Sequence, residues 1–156
     1  MDVALLFREY VRLDRMRESG LTPDELYRWS LLKRKLNQHF SPGLPRAQAD
    51  RRESVRIPVR MRVAFRSEGE LAQSLMTNLS RRGVFVETEH PLEIGERLEL
   101  RIQVEHPDRE LIVPAEVVSH GIGPKLSMRR GMGLRIHELD PETDAKFADL
   151  YERLVK

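Results

Sequence analysis

The sequence predicts a mainly β fold: a six-stranded antiparallel β-barrel with a C-terminal helix, preceded by an N-terminal α-helical hairpin. Three observations support this prediction. Two apolar patterns of helical period lie before residue 41, six short segments rich in β-branched and apolar residues lie between residues 57 and 136, and a third helical pattern follows them. At 156 residues the chain accommodates one ordinary domain and an appendage.

The N-terminal hairpin is predicted from two amphipathic helices. The first spans residues 2–18 and is stopped by Gly20. The second begins with a capping box, because Thr22 precedes Pro23 and is followed three residues later by Glu25. The apolar face expected for the second helix consists of Leu26, Trp29, Leu32, Leu36 and Phe40.

The hairpin of residues 1–40 needs a packing partner, because about 40 residues bury too little surface to be stable alone. Three partners are open: the rest of the chain, a second copy in a homodimer, or another protein. Residues 41–50, which begin with SPGLP, are predicted to be a linker, and residues 51–156 a second domain. With few apolar anchors, residues 41–56 are expected to be mobile when no ligand is bound.

The strands are predicted from short runs of β-branched and apolar residues between turn signals. Closure into a barrel is expected because it removes exposed strand edges. The last helix is predicted over residues 140–155, with Asp140 as N-cap and an apolar face at Phe147, Leu150, Tyr151 and Leu154. The predicted strands are residues 59–65, 71–78, Gly83–Glu87, Arg97–Val104, 112–119 and 131–136.

Positive charge is concentrated in one short segment of the chain. Residues 46–66 hold seven arginines and two acidic residues, whereas residues 67–156 hold twelve basic and seventeen acidic residues. A protein that binds nucleic acid through a broad basic surface would spread its charge more evenly. All the basic side chains of the segment are arginines, and this favours a local site for a small polyanion.

Two short motifs flank the first two predicted strands. The first is RRESVR at residues 51–56, and the second is NLSRRG at residues 78–83. In this order, and followed by GVFVE, GMGLRI and a terminal helix, they resemble the PilZ family, whose signature pairs Arg-x-x-x-Arg with Asp/Asn-x-Ser-x-x-Gly. The resemblance covers residues 51–155. The matching residues are Arg52, Arg56, Asn78, Ser80 and Gly83.

The resemblance implies a six-stranded PilZ barrel with a C-terminal helix, and binding of the bacterial second messenger cyclic di-GMP by these five residues. It implies a receptor that has no catalytic residues and no cofactor. The residue chemistry agrees, because guanidinium groups bind phosphate oxygens bidentately, donate to guanine and stack on purines. Asn78 offers an amide for a guanine edge. The Ser80 hydroxyl either does the same or holds the turn, and Gly83 allows a close backbone approach or a positive φ.

Arg51 adds a third guanidinium directly before the first motif. In the PilZ family, as the resemblance implies, an arginine at this place favours an intercalated dimer of the ligand, which offers four phosphates and stacked guanines. The alternative is a solvated arginine in a basic linker. Arg81 and Arg82 lie inside the second motif at positions that the signature leaves free.

No other constellation in the sequence indicates a metal site, an enzyme or a membrane protein. The chain has no cysteine, its five histidines lack the spacing of metal ligands, and no nucleophile has an evident base beside it. No apolar run approaches the roughly 20 residues that span a bilayer, and the N-terminus does not resemble a signal peptide. A cytoplasmic location is therefore expected.

Three functions compete at this stage. The first is a cyclic di-GMP receptor that passes the signal to an unknown downstream protein by changing shape or partner. The second is a nucleic-acid-binding module, which the sequence disfavours because aromatic residues are not interleaved with the arginines and the barrel region is acidic. The third is a protein-interaction scaffold that acts through the helical hairpin.

Overall fold

The structure is a computed structural model that describes residues 2–104, 109–122 and 130–155. Its backbone contacts divide the chain into two compact units, Met1–Arg56 with Ala148–Lys156 and Ile57–Phe147, here named the helical unit and the barrel unit. The helices are α1 Val3–Met16, α2 Pro23–Phe40, α3 Arg46–Arg51 and α4 Pro141–Arg153, with a 3-10 turn at Arg17–Ser19. The strands are β1 Ile57–Ser67, β2 Glu70–Leu79, β3 Gly83–Glu87, β4 Arg97–Val104, β5 Arg109–Ile122 and β6 Arg130–Ile136.

The start of α2 has the predicted capping box. The Thr22 hydroxyl accepts a hydrogen bond from the Glu25 amide at 3.2 Å, and the Glu25 carboxylate accepts one from the Thr22 amide at 3.0 Å. This arrangement satisfies two backbone donors that the first turn of a helix leaves without partners. The predicted apolar face is wrong at one position, because Leu26 lies near the start of α2 with 47% of its surface exposed.

A polar cluster is buried between α1 and α2. Asp14 is fully buried and accepts a hydrogen bond from the Trp29 indole at 3.1 Å. The Arg17 guanidinium lies 4.4 Å from the centre of the Trp29 ring, and the Lys33 ammonium lies 5.2 Å from it. Cations over an aromatic face are stabilised by the ring quadrupole. The two helices are therefore joined by specific polar contacts as well as by apolar burial.

The short helix α3 was not predicted from the sequence, which indicated a linker here. Ala49 is buried, and its carbonyl oxygen accepts a hydrogen bond from the Asn37 side chain at 3.3 Å. The Asp50 carbonyl oxygen accepts one from Lys33 at 3.2 Å. Six residues are too few for an autonomous helix, so α3 depends on these contacts with α2.

The six strands form a closed antiparallel barrel in the order β1-β2-β3-β6-β5-β4, which confirms the predicted fold class. Closure is made by β1 and β4, where Val63 pairs with Ile102 and Ala64 with Arg101. All six predicted strands are present, and β3 and β4 have the predicted bounds. Strands β1 and β2 are longer than predicted, because they pair up to Ser67 and Glu70 and are joined by a two-residue turn. The two turn residues, Glu68 and Gly69, both have positive φ, as a turn of type I′ requires.

The C-terminal helix confirms its predicted start and three of the four residues of its predicted apolar face; the fourth, Leu154, lies after the helix end at Arg153 and is half-buried. The Asp140 carboxylate accepts a hydrogen bond from the Thr143 amide at 2.8 Å, which is the geometry of an N-cap. Phe147, Leu150 and Tyr151 are buried. Among the residues that the structure describes, no helix is long and apolar enough to cross a membrane.

The barrel unit has a tight backbone approach at Gly131. A Cβ atom at this position would contact the Phe85 ring at 2.7 Å and would clash with the Val86 carbonyl oxygen. We therefore predict that Gly131→Ala lowers the free energy of unfolding by about 1–3 kcal/mol through overpacking. The measurement is urea unfolding followed by circular dichroism.

The matched control for this prediction is Gly121→Ala. Gly121 pairs with Gly131 across the ladder between β5 and β6, but a Cβ there meets no atom within 4 Å. This substitution should change the free energy of unfolding by less than about 0.5 kcal/mol. Equal losses in the two variants would show that close packing at Gly131 is not what limits stability.

Candidate functional site

The six predicted site residues fall into two groups, one in each unit. The helical unit carries the arginine segment, defined here as residues 49–56. The barrel unit carries the turn segment, defined as residues 78–83, which joins β2 to β3. The first group is Arg51, Arg52 and Arg56, and the second is Asn78, Ser80 and Gly83.

The arginine segment alternates between buried anchors and outward side chains. Arg51 ends α3 and is exposed, and Arg52 adopts an extended backbone with φ −68° and ψ 135°. Ser54 and Val55 are buried, whereas Arg56 is again exposed. The two buried residues fix the backbone between the two arginines of the motif and leave the Arg56 side chain accessible.

The guanidinium groups of Arg51, Arg52 and Arg56 have no counter-ion in the described ranges. There, Arg51, Arg52 and Arg56 form no ion pair with a carboxylate, and the Arg52 guanidinium donates a hydrogen bond to the neutral Ser41 hydroxyl at 3.1 Å. Burial of the Arg52 guanidinium, and after it the charge of Arg56, lowers the pKa of Arg52 to about 10. Arg52 is protonated at neutral pH, so an anion would stabilise its guanidinium charge, which no carboxylate pairs in the described ranges.

The backbone of the arginine segment is held by three helices of the same unit. The α2 side chains Lys33 and Asn37 donate to the carbonyl groups of Asp50 and Ala49, as described above. Further along, the Val55 amide donates to the Tyr10 hydroxyl of α1 at 3.0 Å, and the Tyr151 hydroxyl of α4 donates to the Val55 carbonyl oxygen. Neither tyrosine belongs to the two motifs, so no sequence pattern predicted these contacts.

The turn segment is shaped by the Ser80 hydroxyl. The Ser80 amide donates to the Gly83 carbonyl oxygen at 2.9 Å, and the hydroxyl donates to the same oxygen at 3.0 Å. The hydroxyl also accepts from the amides of Gly83 at 3.1 Å and Arg82 at 3.3 Å. Of the two roles that the sequence left open for Ser80, these contacts support the one of holding the turn.

Gly83 allows two strands to approach closely, and it does not have a positive φ. A Cβ atom at Gly83 would lie 2.7 Å from the Leu134 carbonyl oxygen of β6. The glycine therefore serves the pairing of β3 with β6, in which Gly83 lies opposite Arg135. This contact places the end of the turn segment against the sheet.

Asn78 presents a partly exposed amide at the start of the turn segment. Its backbone pairs with Pro58 of β1 and Phe85 of β3, next to register shifts in both ladders. Within the described part of the chain, the Asn78 side chain makes no hydrogen bond. An amide with free donors and a free acceptor is suited to the edge of a base.

Two further arginines of the turn segment already have partners. The Arg81 guanidinium lies 3.2 Å from the Asp144 carboxylate of α4, and only 6% of its side-chain surface is exposed. The Arg82 carbonyl oxygen accepts a hydrogen bond from the Ile136 amide at 2.9 Å. The ion pair of Arg81 was not predicted, because no local pattern links residues 63 positions apart.

A cleft of about 1380 Å³ in the barrel unit contains none of the predicted site residues. Its charged lining is mixed, since Arg62 and Arg130 lie in it together with Glu87 and Glu89. Mixed charge does not favour a small polyanion, so the cleft is a poorer candidate than the arginine segment. Over the described residues, no group of three or more His, Asp or Glu side chains is placed to hold a metal ion.

Two of three comparisons relate this chain to known proteins. The PilZ domain family matches residues 50–153. The search of curated proteins found no match. Among solved structures, the Bacillus subtilis inhibitor of motility MotI/DgrA is 26% identical with a TM-score of 0.56, over 67% of this chain and 51% of that protein. The present chain therefore spans about half the length of MotI.

A second solved structure supports the fold. The PilZ domain of YcgR from Escherichia coli, solved with cyclic di-GMP, is 15% identical with a TM-score of 0.53, over 67% of this chain and 88% of that domain. At this identity the likeness concerns the fold alone, and the fold agrees with the closed six-stranded barrel. The family match covers two thirds of the sequence and includes both motifs. The chain belongs to the PilZ domain family.

Proposed function

We propose that the protein is a cyclic di-GMP receptor and not an enzyme. The observation that carries the proposal is that two complete PilZ motifs occur together with three guanidinium groups that have no carboxylate partner in the described ranges. The ligand supplies what this segment lacks, namely two phosphate anions and two guanine bases. A receptor for a second messenger acts inside the bacterial cell, so a cytoplasmic location is part of the proposal.

Arg52 and Arg56 are the main ligand contacts in this proposal. A guanidinium group forms two parallel hydrogen bonds to phosphate and also stacks on a purine face. Arg56 directly precedes Ile57, and Ile57 pairs with Leu79 of the turn segment. The first motif therefore ends at the residue before β1, the strand that pairs with β2 at Leu79 and Asn78.

The turn segment contributes recognition of the base and a fixed backbone. We assign the free Asn78 amide to a guanine edge, because it can donate and accept at the same time. We assign Ser80 and Gly83 to the shape of the turn, since the Ser80 hydroxyl is engaged within it and Gly83 packs against β6. In this proposal, Ser80 and Gly83 fix the shape of the turn and do not need to contact the ligand.

Arg51 sets the number of ligands in this proposal. Its side chain is exposed at the end of α3 and has no ion-pair partner among the described residues. A third guanidinium provides charge for an intercalated dimer of cyclic di-GMP, which carries four phosphates. The protein is proposed to bind two ligand molecules through Arg51, Arg52 and Arg56.

A scaffold function is favoured by one observation and is compatible with the receptor. Three large apolar side chains are exposed on the first two helices: Leu5 at 57%, Leu26 at 47% and Tyr27 at 72%. Such side chains suit an unknown downstream protein or a second copy of the chain. A change of partner or shape on ligand binding would then transmit the signal. Nucleic-acid binding has no comparable support.

Isothermal titration calorimetry tests the receptor function directly. Cyclic di-GMP is titrated into the wild-type protein. GTP and a DNA duplex, which would be attracted by the same positive charge, are titrated separately as controls. Saturable heat with cyclic di-GMP alone is expected, because only this ligand presents two guanines and two phosphates in a ring. Equal binding of all three would indicate an unspecific electrostatic surface, and no binding of cyclic di-GMP would overturn the proposal.

We predict that Arg52→Ala and Arg56→Ala each abolish measurable binding. A charge-assisted contact contributes about 1.5–3 kcal/mol, and one arginine can make two of them. A loss of about 3–4 kcal/mol moves a micromolar site into the millimolar range. The dissociation constant is measured by calorimetry, and circular dichroism checks that the fold is unchanged.

Two further variants control for charge and geometry. Arg66→Ala removes the same charge at the far end of β1, where the side chain donates to the Gly69 carbonyl oxygen at 3.5 Å, and it should bind like wild type. Arg52→Lys keeps the charge but loses the planar fork, so it should bind weakly. Full binding by Arg52→Lys would mean that charge alone is recognised.

A second prediction concerns stoichiometry. Arg51→Ala should reduce the number of cyclic di-GMP molecules per chain from two toward one, because the third guanidinium is required for the intercalated dimer and not for the first molecule. The ratio is read from calorimetry at protein concentrations well above the dissociation constant. A wild-type ratio of one, or an unchanged ratio in the variant, would remove this role from Arg51.

A further inference from the structure

Val55 is held through both of its backbone polar groups. Its N–H donates to the Tyr10 hydroxyl at 3.0 Å, and its carbonyl oxygen accepts from the Tyr151 hydroxyl. All three residues are fully buried. The two tyrosines lie 45 and 96 positions away in sequence, so this contact is made by the fold of the helical unit and by no local motif.

The tyrosine hydroxyls are the hydrogen-bond partners of the Val55 backbone. The residue lies between α3 and β1, outside any helix or strand, and so no regular ladder pairs its backbone. A buried N–H or C=O without a partner is costly, and water is excluded here. The rings themselves are fixed by packing on Phe7, with centroids at 4.7 Å for Tyr151 and 6.2 Å for Tyr10.

The position of Val55 explains why this contact concerns the ligand. Val55 directly precedes Arg56 and follows Arg52 by three residues. Fixing Val55 restricts the backbone from which both guanidinium groups extend. A segment that is already ordered loses less conformational entropy when the ligand binds, and this raises affinity without a new contact.

We propose that Tyr10 and Tyr151 are positioning residues of the cyclic di-GMP site, and that they couple the site to α1 and α4. This inference rests on the proposed function. The two hydroxyls fix the backbone of Val55. This raises the fraction of molecules in which the arginine segment has its binding-competent conformation. Coupling of this kind is reciprocal, so ligand binding strengthens the hold on Val55 and restrains the two helices.

The test compares Tyr10→Phe and Tyr151→Phe with wild type. Each variant keeps the ring and removes one hydroxyl. In the ligand-free protein, exchange of the Val55 amide hydrogen, followed by NMR, should be about tenfold faster in Tyr10→Phe, because its acceptor is gone. The dissociation constant for cyclic di-GMP should rise about three- to tenfold in both variants, since the competent population falls.

Two control variants separate positioning from general stability. Tyr27→Phe removes the hydroxyl of an exposed tyrosine in α2. Thr22→Ala breaks the capping box of the same helix and so destabilises the helical unit without touching the arginine segment. Both controls should keep the wild-type affinity and the wild-type exchange of Val55. A rise in dissociation constant in Thr22→Ala equal to that in Tyr10→Phe would show that stability, not positioning, sets the affinity.

The outcomes distinguish this inference from the proposed function. If wild-type protein does not bind cyclic di-GMP, the receptor function fails, and the exchange of Val55 still shows whether Tyr10 holds the segment. If wild type binds and Tyr10→Phe exchanges faster with unchanged affinity, the receptor stands and the positioning role is wrong. Unchanged exchange and unchanged affinity in both tyrosine variants would overturn the inference entirely.

Discussion

Three guanidinium groups lie within six residues, and this concentration of positive charge is the constraint on which the rest of the site depends. Arg51, Arg52 and Arg56 have no carboxylate partners in the described chain, so the fold must hold the segment by other means. It does so through the backbone, with hydrogen bonds to Ala49, Asp50 and Val55. The guanidinium charges are left available for an anionic ligand. The helical unit therefore holds the backbone of the arginine segment in addition to packing its own helices.

The sequence predicted the features that have a local physical cause. The strands followed from short runs of β-branched residues, and the start of α2 followed from the capping box of Thr22 and Glu25. Both motifs were found because their residues lie close together in the chain. The fold class and the family are therefore confirmed, while the contacts of Asn78 with a ligand stay a prediction.

The features that were missed depend on distant parts of the chain. Helix α3 is too short to have a period, and Lys33 and Asn37 donate hydrogen bonds to its backbone. The contacts of Tyr10 and Tyr151 with Val55 join three separate segments, and no spacing rule indicates them. The expectation that residues 41–56 are mobile without ligand was drawn from composition, which describes the absence of apolar anchors and not the presence of backbone hydrogen bonds; it stays a prediction.

The central claim is that the ligand and the helical unit act on one shared segment, residues 49–56. The most direct measurement is amide hydrogen exchange in the wild-type protein with and without saturating cyclic di-GMP. We expect slower exchange in residues 49–56, together with slower exchange in α1 around Tyr10 and in α4 around Tyr151. Saturation confirmed by calorimetry with unchanged exchange in all three regions would contradict it.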